Sequence, residues 1–140
     1  MNVVIDTNVW IAALISKEGA SREIIRLALR DVISPQLSTS LLLEYESVMS
    51  RAKIQQLCIL AISEQTELFH AYISTCTWNE IFYLWRPNLT DVNDAFLVEL
   101  AVASNSHIII TENKKDLLSG ELLFNFEALT PKEFLERIHK

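Results

Sequence analysis

Glycine and proline are scarce in this chain, with 2 and 3 among 140 residues. That is too few turn formers for a turn-dense all-β sandwich. A GxGxxG loop needs three glycines, and Gly19 and Gly120 lie too far apart for a Walker A loop, so neither Gly-rich phosphate cradle exists. Cysteine is also rare: Cys58 and Cys76 form no CxxC pair and no disulfide framework, which suits a reducing cytoplasm. The start, MNVVIDTNVW, has no basic n-region and carries Asp6, which argues against a signal peptide. No run of about 18 uncharged apolar residues is present, so no transmembrane helix is expected. Positive charge is in deficit as well. The 12 basic residues face 18 acidic ones for a net charge of −6, unlike a protein that simply coats nucleic acid.

What is present is a dense apolar content, 50% of residues, with mean hydropathy +0.21. One compact domain over residues 1–140 is expected. Val3-Val4-Ile5 and Ile108-Ile109-Ile110 read as buried strands, and Val32-Ile33 as a weaker one. Ile81-Phe82-Tyr83-Leu84-Trp85 and Phe126–Leu129 are further strand candidates. Helical patterns cover Val9–Ile15 with Thr7 or Asn8 as cap, a second helix through Arg30 with Ser21 as cap, Thr39–Ser50 and Asp91–Ser104. Ile54–Ser74 reads as one or two helices around Ser63, and Pro131 opens a last helix ending near Ile138. Alternating strands and helices predict an α/β fold with a mostly parallel sheet covered on both faces. Ligands bind at the carboxyl ends of such strands.

Four carboxylates stand where chemistry would be expected. Asp6 directly follows the first strand, and Asp116 follows Ile108–Ile110 after a short polar turn. Asp94 opens a helix. Glu44 lies between Leu41, Tyr45 and Val48 at helical spacing and leans inward, whereas Glu46 points away. Each has a plainer reading: a helix cap for Asp6 and Asp116, a helix-dipole partner for Asp94, a boundary glutamate for Glu44. Gathered in one cleft, four carboxylates would repel one another unless a divalent cation neutralised them. Hard oxygen ligands favour Mg²⁺ or Mn²⁺, which suits phosphodiester hydrolysis.

These segments resemble the PIN-domain ribonucleases, more closely the toxin components of toxin–antitoxin systems, of which VapC-type toxins are the best known. VVIDTNVWIAAL is similar to the family's first strand and D-T-N signature. LLLEYESVM resembles the helix bearing the second acid, RPNLTDVNDAFLVELAVAS the third, and ITENKKDLL the final T-x-N-x-x-D element. The resemblance spans nearly the whole chain. It implies a three-layer α/β/α sandwich with about five strands and a Mg²⁺- or Mn²⁺-dependent endoribonuclease. It places Asp6, Glu44, Asp94 and Asp116 as catalytic metal ligands, with Thr7, Asn8, Thr111 and Asn113 supporting them. Asp91 is assigned a cap or outer role. Some relatives carry a further acid where this chain has Asn93 or Asn113. The implied partners are an RNA substrate, a cognate antitoxin and a second copy of the chain, with no membrane. The alternative is a weak or inactive PIN-like domain serving as a protein-interaction module.

Other features are less specific. Arg22, Arg26 and Arg30 form a helical stripe that reads either as a solvated face or as an RNA-backbone contact. Lys114 and Lys115 flank Asp116. Leu57–Ile62, with Phe69 and Tyr72, reads as core or as a partner surface. Trp78, Phe82 and Trp85 read as core or as base-stacking aromatics. His70, His107 and His139 are scattered, and neither cysteine has a nearby histidine. A D-x-D phosphatase nucleophile is disfavoured because Asn8 holds its second position.

Overall fold

The computed structural model describes residues 1–81, 95–112 and 126–139. The first strand, β1 (Asn2–Ile5), leads into α1 (Thr7–Ile15) and α2 (Ala20–Leu29). Then come β2 (Ser34–Leu37), α3 (Thr39–Met49), α4 (Ala52–Leu57), α5 (Ile62–Thr75) and β3 (Thr77–Trp78). The remaining elements are α6 (Ala95–Ala103), β4 (Ile108–Ile110), β5 (Glu127–Leu129) and α7 (Pro131–Ile138). The sheet order is β3-β2-β1-β4-β5, and every pairing is parallel. Helices cover it in a three-layer α/β/α sandwich, with α6 packed across β1, β2 and β4.

The topology locates the site. From β1 the chain builds outward through β2 and β3, then returns to the other side of β1 with β4 and β5. The order therefore reverses between β1 and β4, and a crevice opens at the carboxyl ends of strands at such a point. Asp6 and Thr111 are the residues that leave those two strands.

Packing follows from the sequence pattern. Val3, Val4, Ile5, Ile109 and Ile110 are fully buried, as doubly covered parallel strands require. Helix α1 is apolar on nearly all sides and buries Val9, Trp10, Ile11, Ala13 and Leu14. Trp10 stacks on Tyr72 of α5, with ring centroids 5.1 Å apart and planes 10° from parallel. Tyr45 of α3 and Phe69 of α5 complete this aromatic cluster, meeting edge to face. Thr130 and Glu133 form a capping box at the start of α7, with Pro131 in its first turn.

Several boundaries differ from expectation. The second strand is Ser34–Leu37, not Val32-Ile33; Val32 is exposed, while Pro35 and Gln36 are buried in the sheet. Asp6, rather than Thr7 or Asn8, caps α1. Helix α2 begins at Ala20 after Gly19, so Ser21 lies inside it. The break between α4 and α5 falls at residues 58–61 instead of near Ser63. The strand proposed at Ile81–Trp85 lies, beyond Ile81, outside the described residues, and the short strand beside β2 is Thr77–Trp78. Among the described residues, no helix is long and apolar enough to cross a membrane.

Candidate active site

The chain turns at Asp6, and its side chain is committed in several directions. Its Oδ1 accepts the Thr7 amide at 2.7 Å, which caps α1. Its Oδ2 accepts the Thr111 hydroxyl at 2.6 Å and the Asn8 side-chain amide at 3.3 Å. Asn8 also reaches Thr111, donating to the hydroxyl oxygen at 3.4 Å and accepting the Glu112 amide at 3.2 Å. The main chain adds a bond from the Asp6 amide to the Ile110 carbonyl at 2.9 Å. The ends of β1 and β4 are thus laced together around one carboxylate. Asp6 retains only 9% of its surface exposure.

The second acid arrives from α3. Ser38 caps that helix by accepting the Leu41 amide, and the inward face is set by the buried Leu41 and Tyr45. Glu44, beside Tyr45, is half-buried at the edge of this face, and Glu46 is exposed. Asp6, Thr7, Asn8 and Glu44 line one open cleft of about 400 Å³, together with Ile11, Ala12, Ile15 and Val48. Burial pushes the Glu44 carboxyl above its usual value, and the charge of Asp6 adds to the shift. The Thr7 hydroxyl and Arg51 act in the opposite direction. The Thr7 hydroxyl is buried and makes no hydrogen bond within ordinary limits of distance and angle. It nevertheless lies close enough to Glu44 to favour the ionised carboxylate.

The structure thus brings Asp6, Thr7, Asn8, Glu44 and Thr111 to one crevice. Asp94, Asn113 and Asp116 lie outside the described residues, as do Asp91, Asn93, Lys114 and Lys115. Among the described residues, no three His, Cys, Asp or Glu side chains gather as a metal-holding group. Asp6 and Glu44 are two like charges in one cleft, beside a buried hydroxyl oxygen. Such an all-oxygen donor set fits a hard divalent cation, which would relieve their repulsion.

The outlying candidates resolve differently. Arg22 donates to the Ala13 carbonyl at 2.7 Å, and Arg26 bonds the Lys17 carbonyl and Glu23. Arg22 therefore fastens α2 to α1, and Arg26 fastens it to the turn that follows α1. Phe69 and Tyr72 are core, whereas Leu57, Ile59 and Ile62 stand exposed. Trp78 is half-exposed, and Phe82 and Trp85 fall outside the described residues. Burial raises the Cys76 thiol to about 12 and also raises Cys58, so neither is poised as a thiolate.

One participant was not anticipated. Tyr45, read from the sequence only as core, donates its hydroxyl to the Ile5 carbonyl at 2.5 Å. Burial holds the Tyr45 and Tyr72 phenols well above the usual tyrosine value, so both remain protonated donors. The available signal was chemical: a buried tyrosine generally finds a partner for its hydroxyl.

Residues 2–115 match the PIN domain family. The chain belongs to that family. PIN domains are in general nucleases. The fold is also similar to a chain in the crystal structure of VapBC2 from Rickettsia felis bound to a DNA fragment from their promoter. That likeness has a TM-score of 0.58 and 17% identity, and covers 93% of this chain and 98% of the other. No curated protein matches by sequence. In this PIN domain, the match takes in β1, α3 and the start of the segment after β4.

Proposed function

We propose that this PIN domain is a Mg²⁺- or Mn²⁺-dependent endoribonuclease acting in the cytoplasm as the toxin of a toxin–antitoxin pair. The observation carrying this reading is the convergence of Asp6 and Glu44 on one cleft at the reversal of strand order. Asp6, Glu44, Asp94 and Asp116 would hold the metal, with Thr7, Asn8, Thr111 and Asn113 orienting them. The bound ion would supply an activated water and charge stabilisation for phosphodiester hydrolysis. The chain's own contribution is positional. Thr111 and Asn8 both donate to Asp6 Oδ2, and the bond from the Thr7 amide to Oδ1 couples that carboxylate to α1.

The toxin reading is supported by the fold likeness to a chain of the VapBC2 structure. It is also supported by exposed Leu57, Ile59 and Ile62, an apolar surface suited to a cognate antitoxin or a second copy of the chain. The test is cleavage of a structured RNA pool and a matched DNA pool in Mg²⁺ or Mn²⁺, with an EDTA control and Asp6→Asn. RNA cleavage that is lost in EDTA and in the variant supports the assignment. Cleavage that survives Asp6→Asn removes this site from the reaction. Folded wild-type protein that cleaves neither pool moves the assignment to an interaction module.

A further inference from the structure

The peptide joining Ile5 to Asp6 is gripped from both sides. Its N–H, on Asp6, donates to Ile110 of β4 at 2.9 Å. Its carbonyl, on Ile5, faces the other way. The registered pairs of β1 with β2 are Asn2↔Ser34 and Val3↔Pro35, two residues short of Ile5. The Tyr45 hydroxyl occupies that position, at 2.5 Å from the Ile5 oxygen and across 40 residues of sequence. A phenol has one proton. With that of Tyr45 given to Ile5, the Tyr72 hydroxyl, 3.1 Å away, is the donor of the second bond. Tyr72 is in turn stacked on Trp10 of α1. Both tyrosines are wholly buried.

We propose that Tyr45 is a positioning residue for the acidic cleft, setting the placement of Asp6 relative to Glu44 through the Ile5 carbonyl. The peptide it holds determines where the Asp6 side chain leaves the main chain. Tyr45 also follows Glu44 directly, so the same bond fixes how α3 presents that carboxylate to β1. One hydroxyl therefore sets both sides of a two-carboxylate site without touching the cleft. Tyr72 braces it and fixes the direction of its proton. This role rests on the proposal that Asp6 and Glu44 bind a divalent cation.

The test is a Mn²⁺ titration by calorimetry on wild type, Tyr45→Phe, Tyr72→Phe and the double variant, at a temperature where all are folded. Phenylalanine keeps the ring in the aromatic cluster and removes only the hydroxyl. Leu14→Ala, a core change on α1 at a residue that does not itself line the cleft, controls for lost stability. Tyr45→Phe is expected to weaken Mn²⁺ binding by up to about tenfold, the low end of the range for residues that hydrogen-bond a metal ligand directly. RNA cleavage should show a lower kcat with an unchanged KM. Tyr72→Phe should weaken binding less, and should add nothing in the Tyr45→Phe background. Leu14→Ala should lower Tm with unchanged Mn²⁺ affinity. Equal affinity in wild type and Tyr45→Phe overturns the positioning role while leaving the metal site standing. Weakening by Leu14→Ala as large as that by Tyr45→Phe reduces the effect to stability and also overturns it. Wild-type protein that binds no Mn²⁺ overturns both this role and the metal site beneath it.

Discussion

The Thr111 hydroxyl donates to the Asp6 carboxylate at 2.6 Å across 105 residues of sequence, joining the ends of the two strands between which the sheet order reverses. The bond is buried and one partner is a carboxylate, which places it among the stronger hydrogen bonds of a protein. It gives the crevice its fixed wall.

Thr111→Val should cost about 1.5–3 kcal/mol of stability, the scale of a hydrogen bond to a charged group. It should also weaken Mn²⁺ binding about tenfold, because Asp6 Oδ2 loses its shorter bond and keeps the longer one from Asn8. Thr111→Ser keeps the hydroxyl and should restore the affinity while leaving a small packing loss. Urea unfolding and calorimetry check the two effects separately.

Glu44 gives a pH signature. Its carboxyl titrates above the usual value because of burial and the charge of Asp6, so the folded chain binds this proton more tightly than the unfolded one. Stability from this group therefore falls as pH rises from the ordinary 4.5 through the raised folded value, and the cost is complete above it. In EDTA, Glu44→Gln should raise Tm at pH 7, and the gain should vanish below 4.5. Saturating Mn²⁺ should reverse the order, since an ion at 100 times its Kd adds about 2.7 kcal/mol to the wild type. Differential scanning calorimetry at several pH values, with and without metal, reads both signs.

Glu46 is exposed on the far side of the same helix. Glu46→Gln should change stability by no more than about 0.5 kcal/mol and leave RNA cleavage intact. Inactivation by Glu46→Gln, with Glu44→Gln active, would mean that α3 presents the opposite face to the substrate.

The thiols should be spectators. Cys76, raised to about 12, should resist iodoacetamide at pH 8 in the folded protein. Partly exposed Cys58 should react first, though slowly. The Cys58→Ala, Cys76→Ala double variant should retain cleavage. Mass-spectrometric alkylation kinetics and the RNA assay check these points.

The parts of the fold readable from sequence were those written in strong local patterns. Val3–Ile5 and Ile108–Ile110 are β-branched apolar runs, and both are buried strands. The inward lean of Glu44 and outward turn of Glu46 follow from the helical spacing of Leu41 and Tyr45. β2 is hard to see in the sequence because Ser-Pro-Gln-Leu looks unlike a strand. Proline lacks a ladder donor, yet Pro35 lies in a strand flanked by β1 and β3. β3 has only Thr77 and Trp78, too short for periodicity to register. The two readings of Asp6, cap and ligand, do not exclude each other: Oδ1 caps α1, while Oδ2 faces Thr111 and Asn8. The Tyr45–Ile5 bond could not be read at all, because the two residues meet only once α3 has docked on the end of β1.

The most direct test of the account is a Mn²⁺ titration of wild type, Asp6→Asn, Glu44→Gln and Glu46→Gln, each first confirmed as folded. Wild type and Glu46→Gln should bind the ion, and Asp6→Asn and Glu44→Gln should each lose at least about tenfold in affinity. Equal binding by all four proteins, or none by the wild type, would contradict the account.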